Sequence, residues 1–369
     1  MRIAQVAPLF EAVPPKLYGG TERVVHYLTE TLVDMGHDIT LFASGDSVTK
    51  AELIPIVKEA LRLNPDCIDS LAHHVVQLEE VLTLHNSFDI IHFHTDYFHF
   101  PLTSRLSTPA LTTLHGRLDL PDLQPLFNRF RNQPVVSISL NQRQPLPQAN
   151  WVGNVYHGLP ENLHKIGEGK GNYLAFMGRI SPEKGVDKAI EIAVKSGIPL
   201  KIAAKVDKAD KEYYELEIKH LLNNPLIEFV GEIDERGKTA FLGNAKALLF
   251  PINWSEPFGM VIIEAMSCGT PVIAFNRGSV PELIDDGVSG FIVSNVEEAV
   301  NAVNKINITL RSMVRKMFEE KYTATRMAKD YLKIYESLVH SNHNNTSRVD
   351  HGYPDHQNKN AWKQHVINQ

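Results

Sequence analysis

Two glutamates eight positions apart stand at either end of a short apolar run in the sequence SEPFGMVIIEA. Pro257 and Gly259 follow the first glutamate, Glu256, and favour the start of a helix there. The first backbone N–H groups of a helix have no partner inside it and can bind an anion. The second glutamate, Glu264, comes about one and a half turns later, too deep to cap the helix. There its carboxylate could accept hydrogen bonds from a ribose diol.

Two other segments carry groups that bind anions. In MGRISPEKG, Arg179 and Lys184 lie in the loop after an apolar run typical of a strand. Two cations placed there can hold a diphosphate. In LYGGTE, Gly19 and Gly20 follow the first predicted strand and open a helix, so backbone N–H groups can approach an anion closely.

Each of these features also has a purely structural interpretation. Paired glycines before a helix are often only a turn, and loop cations often face solvent. Glu264 could be a core residue, although a buried carboxylate still needs a partner. The occurrence of all three features in this order, at equivalent strand ends, is what favours a binding site.

Length and composition limit the class of protein. A chain of 369 residues fits two domains, and 43% hydrophobic with 22% charged residues is typical of a globular protein. A net charge of −6 argues against general nucleic-acid binding. Two cysteines suit a reducing compartment, and no apolar run reaches the length of a membrane span. We expect a cytoplasmic protein; a peripheral membrane contact is left open.

Short β-rich runs alternate with helix-period segments, which predicts parallel sheets covered by helices on both faces. In the first domain, 1–161, the predicted strands include RIAQVAPLF, DITLFAS, DIIHFH, ALTTLH, PVVSIS and NVYH, and Thr21 is the predicted cap of the first helix. A glycine-rich flexible linker, 162–172, precedes a second domain, 173–324, that repeats the alternation. A terminal helix, 325–340, and a polar, disordered tail, 341–369, complete the chain. Two doubly wound, Rossmann-like domains of this kind face each other across a central cleft, where ligands bind at the carboxyl ends of the strands.

The segments YGGTE, TLHG, GRISPEKG, FVGEID, EPFGMVIIEA and CGTPVIA resemble the retaining glycosyltransferases of family four, which have the GT-B fold. The resemblance runs from Met1 to about Val339. Its most specific part is the pair of glutamates in EPFGMVIIE, with the two cations upstream. It implies that the second domain binds a nucleoside diphosphate sugar.

The resemblance also implies roles for single residues. The cations and the paired glycines would hold the phosphates, Glu264 the ribose and the backbone near Ile233 the base. Glu256 and the start of its helix would hold the sugar hydroxyls, and His115 would touch the sugar beside the anomeric carbon. The implied catalytic residues are Glu256 and His115, and the implied donor-binding residues are Gly19, Gly20, Arg179, Lys184, Ile233, Phe258, Gly259, Met260, Val261 and Glu264.

The expected function is transfer of a hexose, glucose by default, from UDP-glucose or another nucleoside diphosphate sugar. The resemblance implies front-face attack, in which a leaving phosphate oxygen helps to take the acceptor proton and Glu256 orients more than it attacks. We expect no metal and no cofactor besides the donor, since no Asp-X-Asp cluster accompanies the phosphate-binding residues. The acceptor (a lipid, a glycan, a small metabolite or a protein) and the oligomeric state are not encoded in these motifs.

The sequence has three alternative interpretations. A nicotinamide oxidoreductase would need G-x-G-x-x-G after a strand, which YGGTE does not provide. A nucleotide-sugar epimerase or a non-catalytic sugar-nucleotide-binding protein on the same fold stays open. His92, His94 and His99 could form a metal site, but alternating strand positions favour core or cleft-rim histidines. Asp96, in the loop after that strand, is a candidate to face the acceptor.

Overall fold

The computed structural model describes residues 1–16, 19–306 and 311–346. Within these ranges, seven parallel strands form a first sheet in the order β3-β2-β1-β4-β5-β6-β7. They are β1 (Arg2–Val6), β2 (Asp38–Ser44), β3 (Glu52–Val57), β4 (Ile90–Phe93), β5 (Ala110–Thr113), β6 (Pro134–Ser137) and β7 (Asn150–Asn154). The helices beside them are α1 (Gly20–Asp34), α2 (Ser70–Leu84), α3 (Phe100–Thr103) and α4 (Leu123–Arg129).

Six parallel strands of the described chain form a second sheet in the order β10-β9-β8-β11-β12-β13. They are β8 (Leu174–Arg179), β9 (Leu200–Lys205), β10 (Ile227–Gly231), β11 (Ala247–Phe250), β12 (Val272–Phe275) and β13 (Gly290–Val293). The helices are α5 (Val186–Ser196), α6 (Lys211–Tyr213), α7 (Glu235–Asn244), α8 (Met260–Ser267), α9 (Val280–Leu283), α10 (Val296–Lys305) and α11 (Arg311–Lys321), followed by α12 (Ala324–Thr346). None of the helices in these ranges combines the length and apolar character needed to cross a membrane.

The central strands bury both faces, which is why their sequences are continuous apolar runs. Ile3 of β1 pairs with Ile39 of β2 on one side and with Ile90 of β4 on the other, and all three are almost fully buried. Because neighbouring strands are parallel, the loops after β1, β4 and β5 all emerge at one edge of the sheet.

Segment 162–172 contains no helix or strand, as predicted, but it is not a free linker. The backbone N–H of Gly167 donates to Cys268 O at 2.9 Å, and that of Gly169 donates to Gly243 O at 3.0 Å. Arg311 Nε donates to Gly167 O at 2.8 Å. The glycines here allow close backbone contact with the second sheet's helices, so the segment is fixed to them, and the prediction of a flexible linker was wrong.

The terminal helix α12 crosses back to the first sheet. Its Tyr331 and Tyr335 are fully buried there, and Tyr331 Oη lies 2.8 Å from Thr113 Oγ1 of β5. The helix continues to Thr346, six residues beyond the predicted end at 340, so residues 341–346 are not part of a disordered tail. Asn342 Nδ2 donates to Ser107 O at 2.6 Å and anchors this last turn. The rest of the predicted tail lies outside the described residues.

Other local predictions also need correction. Gly19, not Thr21, caps α1, so the helix begins two residues earlier than a cap at Thr21 would place it. The strand predicted from NVYH is β7, which ends at Asn154 and lies mostly before that segment. The helix predicted from DKEYYELEIKHLL is a series of short helical turns of changing pitch between residues 208 and 223.

Candidate active site

A cleft of about 530 Å³ lies between the carboxyl ends of the two sheets. The loops after β1, β4 and β5 line one side, and the end of β9 together with the loops after β8, β10 and β11 lines the other. Every residue to which the sequence assigned a role lines this cleft: Gly19, Gly20, His115, Arg179, Lys184, Ile233, Glu256, Phe258, Gly259, Met260, Val261 and Glu264. The fold therefore brings together residues that are up to 245 positions apart in the chain.

The start of α8 is shaped by Gly259. This residue adopts φ 85°, a left-handed conformation that favours glycine, and a Cβ there would lie 3.2 Å from Phe250 and Ile262. The resulting turn directs the unpaired N–H groups of the first turn of α8 toward the cleft, where Met260 and Val261 are lining residues. Phe258 is 2% exposed and packs edge-on against His157 at 4.7 Å between ring centres.

Glu256 is held by two donors. Lys184 Nζ forms an ion pair with Glu256 Oε2, and Trp254 Nε1 donates to the same oxygen at 3.0 Å. The ammonium group of Lys184 also lies 5.1 Å from the centre of the Trp254 ring. The sequence assigned Lys184 to phosphate and Glu256 to sugar. In this structure the two side chains contact each other, so one pair of charges connects the two expected subsites.

Arg179, at the end of β8, lies among acidic side chains. Its guanidinium pairs with Glu183 four residues later, and its Nε lies 3.2 Å from Asp210 Oδ2. Asp207, in the loop after β9, is 4.0 Å away and also pairs with Lys205 at 3.0 Å. This cluster fixes the position of the arginine at the cleft wall. A diphosphate binding there must compete with these carboxylates for the guanidinium group.

Glu264 is 5% exposed and accepts a hydrogen bond from Lys238 Nζ of α7 at 2.7 Å. Lys238 Nζ also lies 3.0 Å from Glu235 Oε2, and Nη1 of Arg23 on α1 lies 2.6 Å from the same oxygen. Burial alone would raise the pKa of Glu235. The neighbouring His164 and the cations Lys238 and Arg23 outweigh burial and lower this pKa to about 2. This chain of charges joins the two halves of the molecule across the cleft.

His115 belongs to a buried histidine cluster at the wall of the cleft. Its Nε2 lies 2.9 Å from His94 Nδ1, and its ring stacks on that of His157 with 5.2 Å between centres. Burial lowers the pKa of His115 to about 3, so its imidazole is neutral at physiological pH. His92 and His94 both use their two ring nitrogens in hydrogen bonds. Within the described ranges, no three His, Cys, Asp or Glu side chains are grouped so that they could hold a metal ion.

The remaining residues predicted to lie near the phosphates and the base are in two loops. Gly19 and Gly20 form the start of α1, and a Cβ on Gly19 would lie 2.7 Å from the Pro15 side chain, which explains the glycine. Ile233, half-buried, lies in the loop between β10 and α7. Both loops open into the cleft from opposite sides.

Sequence reasoning missed the residues on the first-sheet wall of the cleft. Phe10, His74 and Phe98 form a row of rings, with centres 5.0 and 6.0 Å apart. Glu22 is 5% exposed, and burial raises its pKa to about 7. These residues come from separate elements, so no shared local motif marks them, although Glu22 is the last residue of the YGGTE segment and was given no role there.

Asp96, the predicted acceptor-facing residue, lies on the same wall. Its backbone has φ 51°, which is uncommon for a residue with a side chain. The residue is exposed at this wall. A carboxylate in a left-handed loop at the carboxyl end of a central strand is typical of a functional position.

Two family models match the chain. A model described as Glycosyltransferase Family 4 matches residues 18–144, and a model described as Glycosyl transferases group 1 matches residues 160–322. Together they leave only the two ends and a short central segment unmatched. The first covers the wall with the histidine cluster, and the second covers the wall with Arg179, Lys184 and the two glutamates.

Individual relatives agree with these models. An uncharacterized glycosyltransferase of Methanocaldococcus jannaschii is 26% identical over 275 residues, which cover 68% of this chain and 76% of the relative. The phosphatidyl-myo-inositol mannosyltransferase of Mycobacterium leprae is 25% identical over 388 residues, covering 92% and 98%. The crystal structure of Anabaena HepE in complex with UDP and glucose superposes with a TM-score of 0.72 at 18% identity, covering 91% of this chain and all of the other. The chain belongs to the family-four glycosyltransferases and has their GT-B fold of two Rossmann-like domains.

Proposed function

We propose that this glycosyltransferase moves a hexose, glucose by default, from a nucleoside diphosphate sugar, UDP-glucose by default, to its acceptor with retention of anomeric configuration and without a divalent metal. The observation that carries the proposal is the shared cleft. Two cations, the start of α8 and the glutamates Glu256 and Glu264 line one wall, and His115 lines the other.

The diphosphate is assigned to Arg179, Lys184 and the first turns of α1 and α8. Negative charge grows on this group as it leaves, and fixed cations and helix starts stabilise that charge without reorganising. Lys184 contacts Glu256 directly, so a phosphate oxygen that recruits Lys184 also frees an oxygen of Glu256 for the sugar. Donor binding and sugar orientation are thereby coupled through one ion pair.

Glu256 is assigned an orienting and electrostatic role. Its side chain is bonded by Lys184 and by Trp254 Nε1, so one carboxylate oxygen has its position fixed beside the expected sugar site. Positive charge develops at the anomeric carbon as the diphosphate departs, and a fixed carboxylate nearby lowers the energy of that state. Retention then follows from front-face attack, with a leaving phosphate oxygen taking the acceptor proton, as in the family.

The nucleoside is assigned to the opposite end of the same wall. Glu264 uses one oxygen for Lys238, which leaves the other to accept hydrogen bonds from the ribose hydroxyls. Ile233 lines the same cleft, and the backbone near it is assigned to the base. Uridine and glucose are the default choice because the Anabaena neighbour was solved with UDP and glucose, whereas the name of the mycobacterial relative makes mannose the main competitor.

A donor panel tests the proposal. We expect UDP-glucose to raise the melting temperature more than GDP-mannose or ADP-glucose, and slow hydrolysis to release glucose first as the α anomer, observed by NMR. Lys184→Met should abolish the melting shift, whereas Lys188→Met, an exposed lysine one turn further on, should not. Release of the β anomer overturns retention. A changed sugar that stays bound to nucleotide supports the epimerase instead, and binding without hydrolysis or transfer to any acceptor supports a non-catalytic binder.

A further inference from the structure

A chain of buried hydrogen bonds connects the terminal helix α12 to His115 in the cleft. Gln5 Nε2 of β1 donates to Tyr335 Oη at 3.2 Å, and Gln5 Oε1 lies 2.8 Å from His94 Nε2. His94 Nδ1 in turn lies 2.9 Å from His115 Nε2. Gln5 and Tyr335 are fully buried and His94 is 2% exposed, so water does not compete for these bonds.

The position of each proton along this chain follows from the chemistry of its members. Burial lowers the pKa of His94 and of His115, so each ring is neutral and carries one N–H. The amide oxygen Gln5 Oε1 can only accept, so His94 carries its proton on Nε2. His94 Nδ1 must then accept, and His115 Nε2 must donate. The remaining nitrogen, His115 Nδ1, therefore carries a lone pair and no proton.

The opposite arrangement, with donor and acceptor exchanged in each of these hydrogen bonds, is less favourable. Turning the Gln5 amide around would reverse every bond and place the proton of His115 on Nδ1. That atom is buried and has no hydrogen-bond partner among the described residues. A buried N–H without an acceptor is rarer in proteins than an acceptor left without a donor. On the far side, Tyr335 Oη is 2.7 Å from His92 Nδ1, which accepts from the hydroxyl in the first arrangement.

We propose that Gln5 and Tyr335 are positioning residues that hold His115 in its Nε2–H tautomer through His94. These hydrogen bonds also fix the orientation of the His115 ring, which stacks on that of His157. The consequence for the reaction rests on the proposed function. A neutral imidazole beside the anomeric carbon adds no positive charge where positive charge develops.

The tautomer can be measured without any activity. In the full-length chain labelled with ¹⁵N-histidine, we expect the ¹⁵N shifts of His94 and His115 to show a protonated Nε2 and a bare Nδ1. In Gln5→Met, which lacks the acceptor for His94, both rings should show averaged tautomers. A protonated Nδ1 on His115 in the unchanged protein, or an unchanged tautomer in Gln5→Met, overturns the proposal.

Kinetic measurements test the expected effect of the His115 tautomer on turnover. Gln5→Met should lower kcat by about tenfold with little change in UDP affinity. Gln5→Glu should recover turnover relative to Gln5→Met, because a carboxylate oxygen still accepts from His94 Nε2. Tyr335→Phe should lower kcat less. The matched control is Tyr322→Phe. It removes an equally buried hydroxyl, which donates to backbone carbonyls and takes no part in the hydrogen bonds that lead to His115.

A double substitution separates positioning from simple loss of packing. If Gln5 acts through His115, Gln5→Met should have no further effect on kcat in a His115→Ala background. An equal effect in both backgrounds overturns the proposal. Because the NMR measurement needs no turnover, a protein that transfers no sugar refutes the proposed function but leaves the tautomer result standing, so the two failures are distinguishable.

Discussion

Lys238 Nζ lies 2.7 Å from Glu264 Oε1 at the wall of the cleft, where Glu264 is buried and the Lys238 side chain is 12% exposed. Burial would lower the pKa of Lys238, but Glu264 and Glu235 outweigh it and raise that pKa, so the lysine stays charged. The glutamate with the expected ribose role therefore has a permanent cationic partner from a different helix. A buried carboxylate with a partner could be purely structural. Here Lys238 occupies only Glu264 Oε1, so the same carboxylate can have a structural partner and still bind a ligand through its second oxygen.

The first prediction compares Glu264 with Glu256. Glu264→Gln should weaken donor binding by about 1.5–3 kcal/mol and change kcat less, because the bonds to ribose are present in the ground state and the transition state alike. Glu256→Gln should lower kcat on the order of 10²-fold with little change in UDP affinity, because it acts where charge develops. UDP affinity by calorimetry and kcat on a working acceptor measure both.

The outcome that contradicts these roles is a reversal of the two effects. If Glu256→Gln weakens UDP binding as much as Glu264→Gln and spares kcat, the assignments are wrong. If neither substitution changes binding or turnover, Glu264 serves only to pair with Lys238 in the core.

Sequence patterns predicted the central strands because parallel strands buried on both faces are continuous apolar runs. The edge strand β3 was missed, since Pro55 interrupts its sequence, ELIPIV, and proline is tolerated only at a sheet edge. Residues 208–223 were predicted as one helix because their apolar spacing is helical. In the structure they form separate short turns of changing pitch.

The candidate site was predictable only where a local motif carries the signal. Glu256 and Glu264 stand in one motif, and Arg179 and Lys184 in another, so their roles could be proposed from sequence. Their partners could not be. Lys238 meets Glu264, and Asp210 meets Arg179, only after folding, from segments with no recognisable spacing. Long-range electrostatic partners are set by topology, which a single sequence does not display.

The second prediction concerns Arg23 and Glu235, which join α1 and α7 across the cleft at 2.6 Å. Their side chains are 12% and 24% exposed, so removing one leaves the other poorly solvated. Arg23→Met should lower the free energy of unfolding by about 1–3 kcal/mol, because Glu235 then keeps only its contacts with His164 and Lys238. Urea unfolding measures the loss.

The control for this pair is Arg2, which binds Asp89 at 2.8 Å but is 53% exposed on its side chain. Arg2→Met should cost less than about 1 kcal/mol because solvent screens an exposed pair. Equal losses for the two arginines would show that the link across the cleft adds no more than a surface contact.

The third prediction concerns metal ions. Activity should survive an excess of EDTA, because Arg179, Lys184 and the helix starts are proposed to neutralise the diphosphate. Turnover is measured with and without chelator, and again after adding Mg²⁺ or Mn²⁺. Complete loss with EDTA and recovery on adding either ion would refute the metal-independent mechanism.

The fourth prediction follows from the buried histidines. Burial lowers the pKa of His92, His94, His99, His115 and His157, in the case of His99 and His115 to about 3. In the unfolded chain these rings have a pKa of about 6.5. The unfolded state therefore binds more protons than the folded state between the folded pKa of about 3 and this unfolded pKa. The stability they confer is complete above pH 6.5 and is lost as pH falls toward 3.

Each ring contributes up to about 1.4 kcal/mol per pH unit below its unfolded pKa. Glu22 opposes this, because its raised pKa of about 7 makes the folded state bind its proton first as pH falls. The net loss from pH 7.5 to 5.5 should be on the order of 5 kcal/mol, measured by urea unfolding. His99→Phe, which removes one titrating ring away from the cleft, should reduce this pH dependence by about one proton, whereas His340→Gln, at an exposed position of α12, should leave it unchanged. Equal free energies of unfolding at the two pH values would mean that the histidines are already protonated in the folded protein, and the neutral His94–His115 pair would then be wrong as well.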